Sequence, residues 1–510
     1  MQSNSNNNNK NDNIFVNLPL LLIGNIVNRI KNIDKICFAF VCKRFFDCRE
    51  KYLLFDSNTI CIKHEHLYLN SFKSIYENSL QSKDNCILYF CLLDYFTFDY
   101  DMNDFDKDES IKSNVSTLIL GHHGEAPRIY KVLQDSNVTT FKNCETLQYP
   151  LPPKLKKLRF GDVFNDNLHR GSLPDGIEVI KSLCFTRSIE PGVLPVSLKK
   201  LSFGQSYTAP LVPGSLPPKL EELKFASAPI STNILPHTLR ALKFVPISWT
   251  PFIKELPNLE VLHFDDSDNV DEDVMQVDLS EIPKSVTDLA FFSDYTLTSA
   301  LPLTIKSFTI DSKTSFYFNE LLPPTVNYQL DSMVLTMNIF SLPSNVKVKK
   351  MTIVTYSLKL VAGQIKEANG IESLDISRCR VYDFKEGFLP STVKELKISI
   401  CSFEREITLP ETLETMILVN SNRSNANKLI IPRSVTTVVV ESDLSDLSLD
   451  MIPPTVNQIF ITKKYHHSEH CEIRKLDNDH YLVFGKPGEL NFIGTLFHRS
   501  LLPNISKLIS

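Results

Sequence analysis

Apolar positions along this chain fall into two regimes. From Leu151 onward they keep a fixed order, Leu-Pro-x-x-Leu-x-x-Leu-x-Phe, as in Leu151-Pro152…Leu155…Leu158-Arg159-Phe160, Leu194-Pro195…Leu198…Leu201-Ser202-Phe203 and Leu216-Pro217…Leu220…Leu223-Lys224-Phe225. Further starts stand at Leu173, Leu235, Leu256, Ile282, Leu301, Leu322, Leu342, Leu389, Leu409, Ile431 and Ile452. A unit without Leu-Pro is expected near Asn369-Gly370-Ile371…Leu374-Asp375-Ile376. The alternation Leu158-x-Phe160 has the period of two of a strand with one buried face. Proline fixes φ and lacks an N–H, so it belongs at a corner rather than in a ladder. Gly161-Asp162 and Gly204-Gln205 then suit a turn off the strand. Each coil is therefore a short parallel strand, a loop and a proline corner, with room for little helix.

A period near 20 residues marks a solenoid, because one unit cannot bury its own apolar face and must stack on its neighbours. The units at Leu173 and Leu342 read as carrying extra residues before the strand, Leu256 as one residue short, and Leu322 as lacking a clean strand pair. Val115…Leu120 and Val138…Phe141 read as earlier, degenerate coils. The second regime lies upstream, where Leu22, Ile26, Ile30 and Ile33 have helical spacing behind Pro19. Asp34 is expected to cap a second helix from Lys35 to about Cys48. The expected division is an Asn-rich tail (1–13), a helical module (14–56), a connecting segment (57–111), the solenoid (112–462) and a terminal cap or tail (463–510). The fold class is thus a mainly β solenoid of stacked parallel coils with a small α-helical amino-terminal domain.

The repeats resemble the FNIP repeat, a relative of the leucine-rich repeats. The resemblance rests on Phe160-Gly161-Asp162-Val163-Phe164-Asn165 followed by Gly171-Ser172-Leu173-Pro174, and again on Gly214-Ser215-Leu216-Pro217. The upstream module, from about Phe15 to Phe55, resembles an F-box in its opening Leu18-Pro19, its spaced aliphatics and its Val41-Cys42-Lys43-Arg44-Phe45 ending. F-boxes bind the small adaptor subunit of cullin–RING ubiquitin ligases through an apolar helical face. The resemblance therefore implies a contact through Leu18, Pro19, Leu22, Ile23 and Ile26, with the solenoid holding a substrate protein. The alternative is a non-catalytic scaffold whose helices only cap the first coil, as solenoids require.

Composition changes this picture little. A net charge of −5 offers no basic field for nucleic acid or an anionic membrane. No stretch is long and apolar enough for a membrane span. Eleven cysteines without a Cys-x-x-Cys pair read as reduced thiols, Cys184 among the buried ones, and so as a cytoplasmic or nuclear protein. His466, His467, His470, Cys471 and His480 fit no standard zinc spacing, so no metal is expected there. Asp265 to Asp273 lacks the central glycine of a calcium loop and reads as an insertion. Neither Gly121-His122-His123-Gly124 nor any other stretch forms a catalytic motif, and neither enzyme activity nor a cofactor is expected.

A partner would meet the strand positions that point away from the core. In order these read Arg159, Cys184, Ser202, Lys224, Lys243, His263, Ala290 and Thr309, then Asp375, Lys397, Ile417, Val439 and Phe460. The early set suits an acidic partner or a solvated face. The late apolar trio is either an open interaction patch or is covered by the segment after Lys463.

Overall fold

A computed structural model describes residues 18–55, 59–61, 70–72, 74–75, 78–79, 86–90, 111, 113–120, 127–204, 207–224, 230–266, 275–311, 316–336, 342–358, 365–381, 389–399, 409–419, 430–441, 452–462, 470–485 and 493–500. Twenty-two strands form one sheet. From Thr59–Cys61 to Gln458–Thr462 every neighbour is parallel, and pairing follows chain order, as a right-to-next-coil solenoid demands. Met275–Val277 and Tyr295–Leu297 leave this order and pair with each other in a small second sheet.

The predicted slots are the buried ones. In strand Lys157–Phe160, Leu158 and Phe160 point inward while Lys157 and Arg159 face solvent. Leu155, Leu198, Leu220, Leu239 and Val393, the residues entering from the corner, are fully buried. Their predecessors stitch one coil to the last: Ser197 Oγ donates to Ile177 O (2.6 Å), Thr238 Oγ1 to Leu220 O (2.7 Å) and Asn345 Nδ2 to Val326 O (2.6 Å). The Phe-Gly-x-x-Phe/Tyr turns fold the second aromatic back on the first. Phe160 and Phe164 stack at 3.8 Å, Phe203 and Tyr207 at 3.8 Å, and Phe185 bridges the two pairs. The unit without Leu-Pro is a true coil, with Ile371, Leu374 and Ile376 buried. Asn369 serves as its corner, donating to Pro343 O and Val346 O.

Three expectations about irregular units need correction. The unit at Leu173 has no extra residues: Ile177 and Ile180 occupy the standard slots, and its strand is Val179–Lys181. Ser182 stands where Phe is usual, and Phe185 reaches back from beyond the strand to fill the volume. Cys184, expected to be buried, is exposed. The unit at Leu322 has not lost its apolar pair, Met333/Leu335, which lies in a long strand, Tyr328–Thr336; the unit at Leu342 does carry extra residues between its corner residue Val346 and its pair Met351/Ile353.

The amino-terminal module is helical, but its second helix is two. Asn32–Ala39 ends at Phe40, and Lys43–Asp47 starts after a break. On one straight helix Phe38 and Phe45 would lie about 10 Å apart along the axis. The break lets them stack at 4.6 Å, with Phe40 on Phe46 at 5.6 Å. Asp34 lies within the first turn rather than at the cap, and its carboxylate accepts from Arg474 (2.7 Å).

That contact spans 440 residues. After Gln458–Thr462 the chain adds three antiparallel strands, His470–Lys475, His480–Gly485 and Ile493–His498. Leu482 of the second is buried in the same apolar cluster as Ile23, Val27, Ile33, Ile36 and Phe55. Lys31 stands 4.9 Å over the Phe460 ring. Twenty-two strands at about 4.8 Å would run about 100 Å if the sheet were straight. Yet the first strand begins four residues after Phe55, within about 14 Å, and Phe55 shares its core with the penultimate strand. The sheet therefore closes into a ring, and the helical module is its clasp.

Candidate protein-interaction surfaces

The first candidate surface is the outer side of the clasp. Helix Leu20–Val27 turns Ile23 and Val27 inward, both at 0 % exposure, and leaves Leu22 and Ile26 exposed at 47 % and 49 %. Leu21 (77 %), Ile30 (37 %), Phe40 (40 %) and Val41 (66 %) of the same module are exposed too. Of the residues assigned to adaptor contact, Pro19, Leu22 and Ile26 are thus presented outward. Leu18 is half-buried and held by Arg44, which donates to its carbonyl (2.9 Å). Ile23 cannot take part, because a helix with a three-to-four-residue period needs one side for its own core. Leu21, Ile30, Phe40 and Val41 were not assigned to this contact in the sequence: Ile30 reads there as one more residue of the helical stripe, and helical spacing alone does not say which side of the stripe stays exposed.

The second is the solvent face of the early coils. The register runs Lys142–Arg159–Lys181–Ser202–Lys224–Lys243–His263. Lys181 takes the place assigned to Cys184, and Lys142 extends the row by one strand. Burial, then repulsion from Arg159 and Lys181, holds the Lys142 ammonium below the usual lysine range. Burial and Lys243 do the same for Lys224. Lys243 is paired with Glu222 (3.1 Å), and His263 Nε2 lies 3.4 Å from Asp288. Phe244 bulges out of its strand at φ +57° and meets Phe292 at 4.7 Å, under Lys224.

The third is the late apolar trio. Ile417, Val439 and Phe460 stand in register on neighbouring strands and are half-buried. They are bracketed rather than open: Lys397 reaches across the Ile417 strand to Glu441 (2.6 Å), and Lys31 covers Phe460. Lys31 of the amino-terminal module lies over Phe460, and Glu472, from the segment after Lys463, stands directly opposite it on the next strand.

A fourth feature runs along the rim where each strand begins. Lys156, Glu178, Lys199, Glu221, Arg240 and Glu260 succeed one another, each N–H bonded to the previous coil, and their charges alternate. Thr287 interrupts, then Lys306, Asp331, Lys349, Glu372, Lys394 and Glu414 resume the alternation. The groove along this rim sets Lys199, Lys219 and Arg240 against Glu221 and Glu260, so most of its charge is balanced within it.

Other sequence candidates lead elsewhere. Asp266 accepts from Tyr295 Oη (2.6 Å) and Ile247 N (3.0 Å), and Asp265 from Ser293 Oγ (2.8 Å), so these carboxylates tie neighbouring coils together. The pair drives the Tyr295 phenol far above its ordinary range, after burial as the larger cause. Cys471 is buried in its strand and His480 is held by Asp477. His122, His123, His466 and His467 lie outside the described residues. Among the described residues, no helix is long and apolar enough to cross a membrane.

Comparison with known proteins bears on the array alone. The FNIP Repeat family model matches residues 146–181 and 185–228. These two stretches of the chain match the FNIP repeat. No curated protein matches it. Among solved structures it is similar to CroV588, a circular leucine-rich-repeat protein, at 18 % identity and a TM-score of 0.38, over 69 % of this chain and 53 % of that one. It thus spans about half the length of that protein. A leucine-rich repeat protein from Bacteroides ovatus matches at 10 % identity and a TM-score of 0.13, over 68 % of this chain and 78 % of the other. The FNIP-like array, a repeat solenoid, suggests a non-catalytic scaffold that binds proteins.

Proposed function

We propose that this protein is a substrate-recognition subunit of a cullin–RING ubiquitin ligase, in which the clasp docks on the ligase adaptor and the FNIP-like ring holds the substrate. The observation carrying this reading is the exposure of apolar residues on the clasp, Leu21, Leu22, Ile26, Ile30, Phe40 and Val41. Large apolar residues left exposed on one small module mark an interface, and other residues of the module, Ile23, Val27, Ile33 and Ile36, make the core that holds Leu482. Clasping and docking are therefore compatible. The reading also requires the cytosol or nucleus as the compartment.

The test uses the full chain, since the clasp lacks part of its core without Leu482. Calorimetry should give micromolar or tighter affinity for the adaptor subunit. Leu22→Asp with Ile26→Asp, both exposed, should abolish binding while leaving the melting curve in place. A folded chain that ignores the adaptor would sink the ligase reading and leave an interaction scaffold whose helices serve only to close it. That second reading has its own support in the Asp34–Arg474 pair and buried Leu482.

A further inference from the structure

Like charges directly opposite each other on neighbouring strands are destabilising, and the rim of this solenoid avoids them by alternation. The face row breaks the rule. Lys142, Arg159 and Lys181 stand in register on three consecutive strands, and after Ser202 come Lys224 and Lys243. Among the described residues, Lys142, Arg159 and Lys181 form no ion pair with a carboxylate, whereas the rim lysines Lys156 and Lys199 both reach Glu178. A violation of local logic that the fold does not need is where function is expected. Bulges bound the row at both ends. Asn143 (φ +61°) follows Lys142 and Phe244 (φ +57°) follows Lys243, and each shifts the register of its ladder.

We propose that this row is the docking site for an extended acidic segment of a partner protein, laid across the strands with its carboxylates on Lys142, Arg159, Lys181, Lys224 and Lys243. The proposal rests on the reading of the array as a protein-binding scaffold and names the chemistry of what it binds. At about 4.8 Å per strand the five cations span about 24 Å, the reach of about eight extended residues. Lys157 beside Arg159 and Lys200 beside Ser202 flank the row on the same face and widen its positive field. Nucleic acid fits less well: single-strand binders set aromatic platforms along the whole path, and here Phe244 and Phe292 stand at one end only. The net charge of −5 also opposes a general polyanion. Burial first and neighbouring cations second depress the Lys142 and Lys224 ammonium groups, and external carboxylates would offset the second of these.

The experiment is fluorescence anisotropy on the full chain with a labelled oligoglutamate of about eight residues, beside oligothymidylate of equal length, across a salt series. Wild type should bind oligoglutamate, more weakly as salt rises. Arg159→Glu with Lys181→Glu, both exposed, should lose at least about tenfold in affinity, and Lys306→Glu on the rim should lose nothing. If the double reversal perturbs folding, Arg159→Gln with Lys181→Gln gives the same contrast. Equal binding by the variant and wild type, or tighter binding of oligothymidylate lost in that same variant, would overturn the proposal. Neither result touches adaptor binding through Leu22 and Ile26, so the two readings fail separately.

Discussion

Gly204 leaves its strand so close to the previous coil that an added methyl group would collide with the Leu183 carbonyl, whereas at Gly161, in the same turn of the motif, the nearest atom is the flexible Glu145 Cγ at 3.4 Å. Gly204→Ala is therefore expected to cost about 3 kcal/mol and Gly161→Ala under about 0.5; chemical denaturation of the two variants checks the difference, and equal losses would refute it. Nothing in the sequence separates these glycines, since the distinction lies in how Leu183 turns after its own strand. The same neighbourhood shows what was legible and what was not. Leu155, Leu158 and Phe160 declare themselves by periodicity because each slot repeats with constant volume. Phe185 misleads because it supplies that volume from a different backbone position, with Ser182 in the usual slot. Reading Phe185 as the strand residue shifted the register and hid Lys181, a cation on the face row.

At the level of strands and coils, what specifies order is polar as much as apolar. Neighbouring coils offer one another apolar side chains of similar kind, so apolar packing alone would tolerate a skipped or exchanged coil. The alternating rim charges do not: removing one coil sets like charges opposite each other. Glu178→Lys should place three like charges in line and lower Tm by about 1–2 °C at low salt, with part of the loss recovered on adding Lys156→Glu, whose other rim neighbour is the uncharged Thr139. Recovery absent in the double variant would show that the ladder has no role in order. The hydrogen bond and charge of Lys199 hold the Glu178 carboxyl below the usual carboxylate range. A depressed folded value means that its stabilisation is complete above the unfolded value near 4.3 and is lost as pH falls through the folded one. The Glu178→Gln variant should therefore match wild type in acid and fall behind it at neutral pH. The alternation was readable in the sequence all along, one residue after each corner leucine, but only to an eye following sign rather than hydrophobicity.

For the whole molecule, closure is the property no local pattern announces, because Asp34 and Arg474 belong to different regimes of sequence and share no period. The pair is partly exposed, so solvent screening limits it to about 1–2 kcal/mol, with buried Leu482 adding the apolar share. Arg474→Glu with Leu482→Asp is expected to open the clasp. X-ray scattering should then report a larger radius of gyration, and amides of 32–39 should exchange faster while the array still melts as before. Unchanged scattering would mean that the sheet holds its curvature without the helices. Closure also has a consequence in time. A ribosome adding about 5–20 residues per second supplies the second partner of this pair about 20–90 s after the first. Through that interval the newborn helices lack Leu482 and carry a bare apolar side, while coil after coil can fold behind them on nearest-neighbour contacts alone. Emergence of residues 470–485 is then the event that ends the vulnerable stage of synthesis, and a chain stalled before it would hold a finished solenoid with an unfinished beginning.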